Sequence, residues 1–121
     1  MHNKRAELPA LSQFSHGADW GEMTVLFVTF PTGTDTTPLF KGLPNDCCQC
    51  PHWGYVFKGR IRVKYTDHEE VMIAGEAYYL PPGHNMIVEE DCEYVEYSPK
   101  DELRETREAI ARNREAMQQG G

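Results

Sequence analysis

The amino-acid sequence predicts an all-β domain that ends in one α-helix. Short runs rich in β-branched and aromatic residues recur roughly every ten residues between positions 23 and 97, with turn residues between them, which is typical of a β-sandwich or β-barrel. After position 97 the apolar residues change to a helical spacing. We therefore expect an N-terminal arm over residues 1–22, a barrel over 23–97, and a helix with a short tail over 98–121.

The predicted strands follow one another at short intervals. They are expected over residues 23–30, 36–41, 54–59, 60–65, 71–73, 76–80, 86–88 and 94–97. The segment 60–65 alternates strictly between basic and apolar side chains, which indicates a strand with one face exposed to solvent. The segment 1–22 is polar and contains one proline and two glycines, so we expect it to be irregular, with at most a short helical turn.

The start of the helix is marked by its capping residues. Ser98 is a suitable N-cap, Pro99 follows at the first helical position, and Asp101 places an acid in the first turn. We expect the helix to run from residue 99 to about residue 117. Its apolar stripe consists of Leu103, Ile110 and Met117. Such a narrow stripe predicts light packing on the barrel or at a subunit interface.

The composition of the 121-residue chain is that of a single soluble domain. The hydrophobic fraction is 40%, the charged fraction is 26% and the net charge is −7, which argues against nucleic acid or an anionic membrane as a partner. We find neither the apolar core of a signal peptide nor a membrane-spanning apolar run. We therefore expect a cytoplasmic protein whose four cysteines stay reduced.

The segment 46–52 is the densest cluster of metal-binding side chains in the sequence. It carries an aspartate, three cysteines and a histidine within seven positions. Cys48, Cys50 and His52 share strand parity, so on an extended strand they point to one face. On a straight strand, however, the Cα atoms of residues 48 and 52 would lie about 13 Å apart. A bend, for which Pro51 is suited, is therefore required for these residues to share an ion.

The segment from about residue 40 to residue 97 resembles the cupin superfamily. Gly75, the five residues 76–80 and the Pro-Pro-Gly sequence at 81–83 match the second cupin motif, and Gly59 matches the end of the first motif. The resemblance implies a double-stranded β-helix, or jelly-roll, barrel with a site for a metal ion and a small-molecule ligand inside it. It also implies that the protein forms a homodimer.

Several ligand positions of the cupin motifs carry other residues in this sequence. Asp46, Cys48 and His52 stand where cupins have His, His and Glu, and Met86 stands where the second motif has His. The usual set of three His and one Glu, which binds iron or manganese, is therefore absent. His84 shares strand parity with Met86 and can substitute for the missing histidine. The predicted metal ligands are Cys48, Cys50, His52 and His84. These thiolates and imidazoles favour zinc, with iron or nickel as alternatives.

The sequence leaves two classes of function open. The first is a metal-dependent lyase, isomerase or hydrolase that acts without redox chemistry on a small organic molecule inside the barrel. The second is a non-catalytic module that binds a small ligand or senses metal or redox state. Four protein ligands would indicate a structural site, whereas three would leave a position for chemistry. The sequence also leaves open whether Asp46 or Met86 joins the site, and which of the nearby polar residues point inward. The latter are Tyr78, Tyr79, Glu89 and Glu96.

Overall fold

The computed structural model describes residues 1–119, and its strands are connected in one antiparallel sheet. The strands are β1 (Ala10–Ser12), β2 (Ser15–Trp20), β3 (Met23–Phe30), β4 (His52–Lys64), β5 (Glu69–Ile73), β6 (Ala77–Leu80) and β7 (Asn85–Pro99), and the helix is α1 (Lys100–Gln119). The strand order is β1-β2-β3-β7-β4-β5, and β6 pairs with the first half of β4. This architecture confirms the predicted all-β class with a C-terminal helix.

Strand β3 separates the inside of the barrel from an outer face. Its side chains alternate in direction, as expected for a pleated strand, and no residue of the strand is fully exposed. Leu26, Val28 and Phe30 point inward and line the central cavity. Val25 and Phe27 point to the opposite face, where they belong to a second apolar cluster with Leu8. The N-terminal residues therefore cover part of the outer face of the sheet.

Strands β4 and β7 are longer than the sequence predicts. The prediction ends a strand at Gly59, but β4 continues through it with shifts in its pairing to β7. Gly59 has a φ of 94°, and a Cβ atom there would lie 2.8 Å from the Cα atom of Cys92. The glycine is therefore a bulge within a continuous strand rather than a turn. Likewise, the two strands predicted over 86–88 and 94–97 are parts of β7.

The N-terminal segment also differs from the prediction. Residues 1–22 contain a 3₁₀ turn (Arg5–Glu7) and the strands β1 and β2, and β2 pairs with β3 along its whole length. The sequence of β2 does not show the alternation of apolar and polar residues that is typical of a strand, because its buried position 17 is a glycine. A Cβ atom there would lie 2.7 Å from Cδ2 of Leu26, so the close approach of the two strands requires glycine.

The predicted strand over 36–41 is a 3₁₀ turn (Thr37–Phe40), and a further 3₁₀ turn spans Pro44–Asp46. Helix α1 packs against the turn Thr37–Phe40. The side-chain amide of Asn113 donates hydrogen bonds to the carbonyl oxygens of Leu39 and Lys41, at 2.7 and 2.9 Å. Neither α1 nor any 3₁₀ turn in the described part of the chain is long and apolar enough to cross a membrane.

The observed bounds of α1 lie within two residues of the prediction, although the last residues of the predicted tail, 120 and 121, lie outside the described residues. Its buried face is shorter than predicted. Leu103 is buried and Ile110 is half-buried, but Met117 is exposed. Thr106 is buried between Leu103 and Ile110 on the same face. The helix thus places one hydroxyl group at the inside of the barrel.

Candidate metal centre

Three of the four predicted ligands come together in the structure. One ligand atom from each of Cys48, His52 and His84 lies within 4.8 Å of the other two, and all three residues are buried. The Sγ atom of Cys48 is 3.4 Å from Nε2 of His52. The two imidazole rings have centroids 5.0 Å apart and are inclined at 66°. One thiol and two imidazoles at these distances could hold a metal ion between them.

A backbone bridge brings Cys48 and His84 together. The amide of Cys48 donates to the carbonyl oxygen of His84 at 2.9 Å, and the amide of Gly83 donates to the carbonyl oxygen of Cys48 at 2.7 Å. Gly83 has a φ of 97°, a left-handed conformation that glycine adopts without steric cost. His52 is the first residue of β4 and pairs with Leu80, so it lies beside the same corner.

The hydrogen bonds at Nδ1 of the two histidines are compatible with a lone pair on each Nε2 atom, and Nε2 of His52 already contacts Sγ of Cys48. Nδ1 of His84 lies 2.8 Å from the carbonyl oxygen of Pro81. Because a carbonyl oxygen only accepts, Nδ1 carries the proton and Nε2 keeps its lone pair. Nδ1 of His52 lies 2.6 Å from Oγ of Ser98. For Nε2 of His52 to bind a metal, Nδ1 must carry the proton and donate it to Ser98, which this geometry allows.

A buried carboxylate stands behind His52, on the side away from Cys48. One oxygen of Glu96 is 3.4 Å from Nδ1 of His52, and the other accepts a hydrogen bond of 2.9 Å from the hydroxyl group of Tyr78. Burial raises the pKa of Glu96 to about 7, although the hydrogen bond from Tyr78 and the charge of His84 act in the opposite direction. A carboxylate in this position orients a ligating histidine and increases its basicity.

Tyr78 reaches Glu96 because Gly54 of β4 has no side chain. A Cβ atom at residue 54 would lie 2.6 Å from the hydroxyl oxygen of Tyr78 and would collide with the carbonyl oxygen of Val95. Of the four polar residues considered from the sequence, Tyr78 and Glu96 therefore point inward. Tyr79 is exposed. Glu89 forms ion pairs with arginines on the outer side of the barrel.

The surroundings set the protonation states of the three candidate ligands. Burial lowers the pKa of His52 to about 4. Burial, with the charge of His52, lowers the pKa of His84 to about 4 as well. Both imidazoles are therefore neutral at pH 7 and can donate a lone pair. Burial raises the pKa of Cys48 to about 11, so its free thiol is protonated and a metal must displace that proton.

A cavity of about 280 Å³ adjoins the three ligands. It lies between the inner face of the sheet and helix α1, and the three candidate ligands and Glu96 form part of its wall. Most of the remaining wall is apolar and includes Leu26, Phe40, Leu103 and Ile110. An apolar cavity with a few converging polar groups is the usual form of a small-molecule site.

Comparison with solved structures identifies the fold. The structure matches protein NMB1881 from Neisseria meningitidis with a TM-score of 0.58, at 14% sequence identity over 82% of this chain and 98% of that chain. It matches a cupin-2 domain protein from Shewanella frigidimarina with a TM-score of 0.53, at 16% identity over 74% of this chain and 83% of that chain. The fold is a jelly-roll β-barrel like that of the cupin-2 domain protein. This likeness confirms the predicted jelly-roll barrel.

A third solved structure matches over only part of its own length. The S161A mutant of Bacillus subtilis oxalate decarboxylase matches with a TM-score of 0.56, at 15% identity over 74% of this chain but only 26% of that chain. No protein-family model and no curated protein matches the sequence. Because the identities are so low, these structural matches establish the fold alone.

Cys50 does not join the three-residue group in the barrel. Its side chain is fully buried in a cluster with Phe40 and Leu103 beneath α1, and its thiol donates to the carbonyl oxygen of Pro51 at 3.4 Å. The parity argument fails because β4 begins only at His52, and the chain before it is not an extended strand. Whether Cys50 binds a metal stays a prediction.

The two residues left open in the sequence occupy different surroundings. Asp46 is exposed, and its carboxylate accepts a hydrogen bond of 3.0 Å from the amide of Gly42 within a turn. Met86 is buried and lines the cavity next to the candidate ligands. Thr106 approaches the thiol of Cys48 from α1, with its hydroxyl oxygen 3.7 Å from Sγ. Sequence reasoning missed Thr106, because a threonine that interrupts the apolar stripe of a helix carries no signal of a site.

Proposed function

We propose that this protein binds one zinc ion through Cys48, His52 and His84 and acts on a small organic molecule in the adjoining cavity. The observation that carries the proposal is that three buried ligand atoms lie within 4.8 Å of one another and form part of the wall of a cavity of about 280 Å³. Three protein ligands leave a coordination position for substrate or water, which is typical of catalytic rather than structural zinc sites.

The donor set is the reason for proposing zinc. One thiolate and two imidazoles suit a borderline-soft divalent ion, and two of these donors are already in the protonation state that binding needs. Bound zinc would supply a Lewis acid that polarises a carbonyl or phosphoryl group of the substrate. The reaction is therefore of the lyase, isomerase or hydrolase kind. If the purified protein contains iron or nickel and no zinc, the proposed site holds that metal instead.

Glu96 is the residue that we assign to proton transfer. It is part of the cavity wall, and its pKa of about 7 lies close to neutral pH. A carboxyl group with such a pKa can act either as a proton donor or as a proton acceptor near pH 7. The hydrogen bond from Tyr78 fixes the orientation of this carboxyl group.

Metal analysis of protein purified without added metal tests the metal site. We expect about one equivalent of zinc per chain in the wild type. His52→Ala and His84→Ala should each lose it, because two ligands do not hold zinc tightly. His2→Ala is the matched control, because His2 is exposed in the N-terminal segment and does not line the cavity. The proposal is wrong if both ligand variants retain zinc with wild-type affinity.

The alternative is a closed structural or metal-sensing site in which Cys50 supplies a fourth ligand. The observation that favours it is the position of Cys50, a buried thiol two residues from each of Cys48 and His52. The variant Cys50→Ser distinguishes the two functions. Retention of the metal supports the open, three-ligand site, whereas loss of the metal without loss of folding supports the closed site.

We also propose that the protein forms a homodimer through the outer face of its sheet. Large aromatic side chains on this face are exposed in the described part of the chain: Trp53, Tyr55, Phe57, Tyr79 and Tyr97. An aromatic patch of this kind is typical of an interaction surface. Light scattering should give twice the 13.9 kDa mass of the chain, and Phe57→Glu should reduce it. A wild-type protein of 13.9 kDa at micromolar concentration would contradict the proposal.

A cytoplasmic location is proposed on the evidence of the cysteines. All four thiols are free, and each of them is buried. Thiols of this kind persist in a reducing compartment. Cell fractionation with an antibody against the protein tests the location.

A further inference from the structure

Helix α1 contributes two arginines to the wall of the cavity. Arg107 and Arg114 line it together with Leu103 and Ile110. Residues at these spacings lie on one face of a helix, so the two guanidinium groups and the apolar residues form a single strip along the cavity. Both arginines are exposed to solvent, whereas Cys48, His52 and His84 are buried, so we take the arginines to mark the entrance of the cavity.

These two arginines have no ion-pair partner among the described residues. In contrast, Arg60 and Arg62 share Glu89 on the sheet, and Arg104 pairs with Asp101 at the start of α1. Among the described residues, Arg5 and Arg112 also lack an ion-pair partner, and what sets Arg107 and Arg114 apart is that they line the cavity. Two unpaired guanidinium groups are therefore available at the cavity entrance.

The acids that line the cavity do not neutralise these arginines. Glu96 is the sole acidic residue among the described residues of the cavity wall, and it is buried with Tyr78 and His52 as its partners. The cavity thus combines positive charge on its solvent-exposed side with apolar walls that include Phe40 and Ile110. A ligand that satisfies both features has an anionic group at one end and an apolar body.

We propose that the cavity takes a small organic carboxylate, whose carboxylate group is bound by Arg107 and Arg114 and whose other end reaches the Cys48, His52 and His84 group. This inference rests on the proposed function and specifies its class of substrate. The planar guanidinium group binds a carboxylate through two parallel hydrogen bonds, so two arginines at one entrance favour this group. The cavity of about 280 Å³ limits the ligand to a small molecule.

Titration calorimetry with zinc-loaded protein tests the proposal, using hexanoate as the probe and hexanamide as its uncharged analogue. We expect hexanoate to bind at least about tenfold more tightly than hexanamide. Arg107→Gln and Arg114→Gln should each weaken hexanoate binding about tenfold, and the double variant should abolish the preference for the acid over the amide. Arg112→Gln is the matched control, because Arg112 is an exposed arginine of α1 that does not line the cavity.

Four outcomes would overturn the proposal. They are no binding of hexanoate to the wild type, equal binding of hexanamide, unchanged hexanoate binding in the double variant, and tighter binding of inorganic phosphate than of hexanoate. The substitutions are at exposed positions, so we expect all variants to fold. Zinc content measured on the same samples separates this inference from the proposed function. Loss of the acid preference with full zinc content supports the arginine site, whereas a wild type without zinc contradicts only the metal site.

Discussion

The substitution Gly54→Ala should displace Tyr78 and break its hydrogen bond to Glu96, which lies behind the candidate ligand His52. The added methyl group would lie 2.6 Å from both Cζ and the hydroxyl oxygen of Tyr78, and it would collide with the carbonyl oxygen of Val95 on β7. Carbon atoms do not approach so closely in folded proteins, so β4 and β7 must separate and Tyr78 must withdraw. The hydrogen bond of 2.9 Å from Tyr78 to Glu96 is then lost.

The magnitude follows from these two effects. Overpacking of a buried position costs about 1–3 kcal/mol. Loss of the hydrogen bond to a buried carboxyl group adds about 1.5–3 kcal/mol. We therefore expect Gly54→Ala to lower the free energy of unfolding by about 2.5–6 kcal/mol, a large part of the about 5–15 kcal/mol typical of a domain. Urea unfolding monitored by tryptophan fluorescence and circular dichroism measures this change.

Two further variants identify the cause. Gly33→Ala is the matched control, because Gly33 has a φ of 91° but a Cβ atom there meets no other atom within 4 Å. It should cost only the backbone strain, about 1–2 kcal/mol. Tyr78→Phe removes the hydrogen bond directly. Since Gly54→Ala already breaks that bond, Tyr78→Phe should cost less when combined with Gly54→Ala than it costs alone. Strict additivity, or a cost of Gly54→Ala no larger than that of Gly33→Ala, would refute the reasoning.

Three other predictions concern the metal and a buried tyrosine. Between about pH 6 and 8, zinc uptake should release one proton, from Cys48, and the apparent affinity should fall about tenfold for each unit that the pH falls. A second released proton that is absent in Cys50→Ser would indicate that Cys50 also binds. Ser98→Ala should weaken zinc binding about tenfold or more in a competition assay, because it removes the hydrogen-bond partner of Nδ1 of His52, and unchanged affinity would contradict this role. Tyr65→Phe should raise the free energy of unfolding by about 1 kcal/mol, because the hydroxyl group of Tyr65 is buried without a hydrogen-bond partner among the described residues. Burial also raises the pKa of Tyr65 to about 12, so wild-type stability should fall as the pH rises above about 10, and Tyr65→Phe should weaken this dependence in alkaline urea titrations.

The apolar spacing of the sequence is sufficient to predict the class of the fold, and the sheet pairing explains where the prediction is wrong. Strands rich in valine and aromatic residues, such as β3, can be recognised because their side chains pack on both faces. Strand β2 cannot, because its pairing depends on Gly17, which makes room for the backbone of β3 rather than adding apolar surface. The prediction divides β4 at Gly59 because a glycine bulge and a glycine turn have the same sequence signal.

Part of the candidate site can also be predicted from the sequence, because residue type and turn residues are visible there. Residue type and the corner at 81–83 are enough to select Cys48, His52 and His84. The inclusion of Cys50 assumes an extended strand from residue 48, whereas the strand begins at His52. The positions of Tyr78 and Glu96 cannot be derived from parity either, because alternation along a strand does not say which of its two faces points into the barrel.

The arrangement of Glu96 and His52 accounts for the unusual ligand positions in chemical terms. The resemblance to cupins places His52 where a glutamate ligand is usual, and the structure places the carboxylate of Glu96 behind that histidine, 3.4 Å from its Nδ1 atom. If His52 binds the proposed ion, this carboxylate would act on the ligand rather than as a ligand. Cys48 then supplies the negative charge that would directly balance a bound cation. A thiolate favours zinc more strongly than a carboxylate does, and Glu96 remains available at the cavity wall to exchange a proton with a bound molecule.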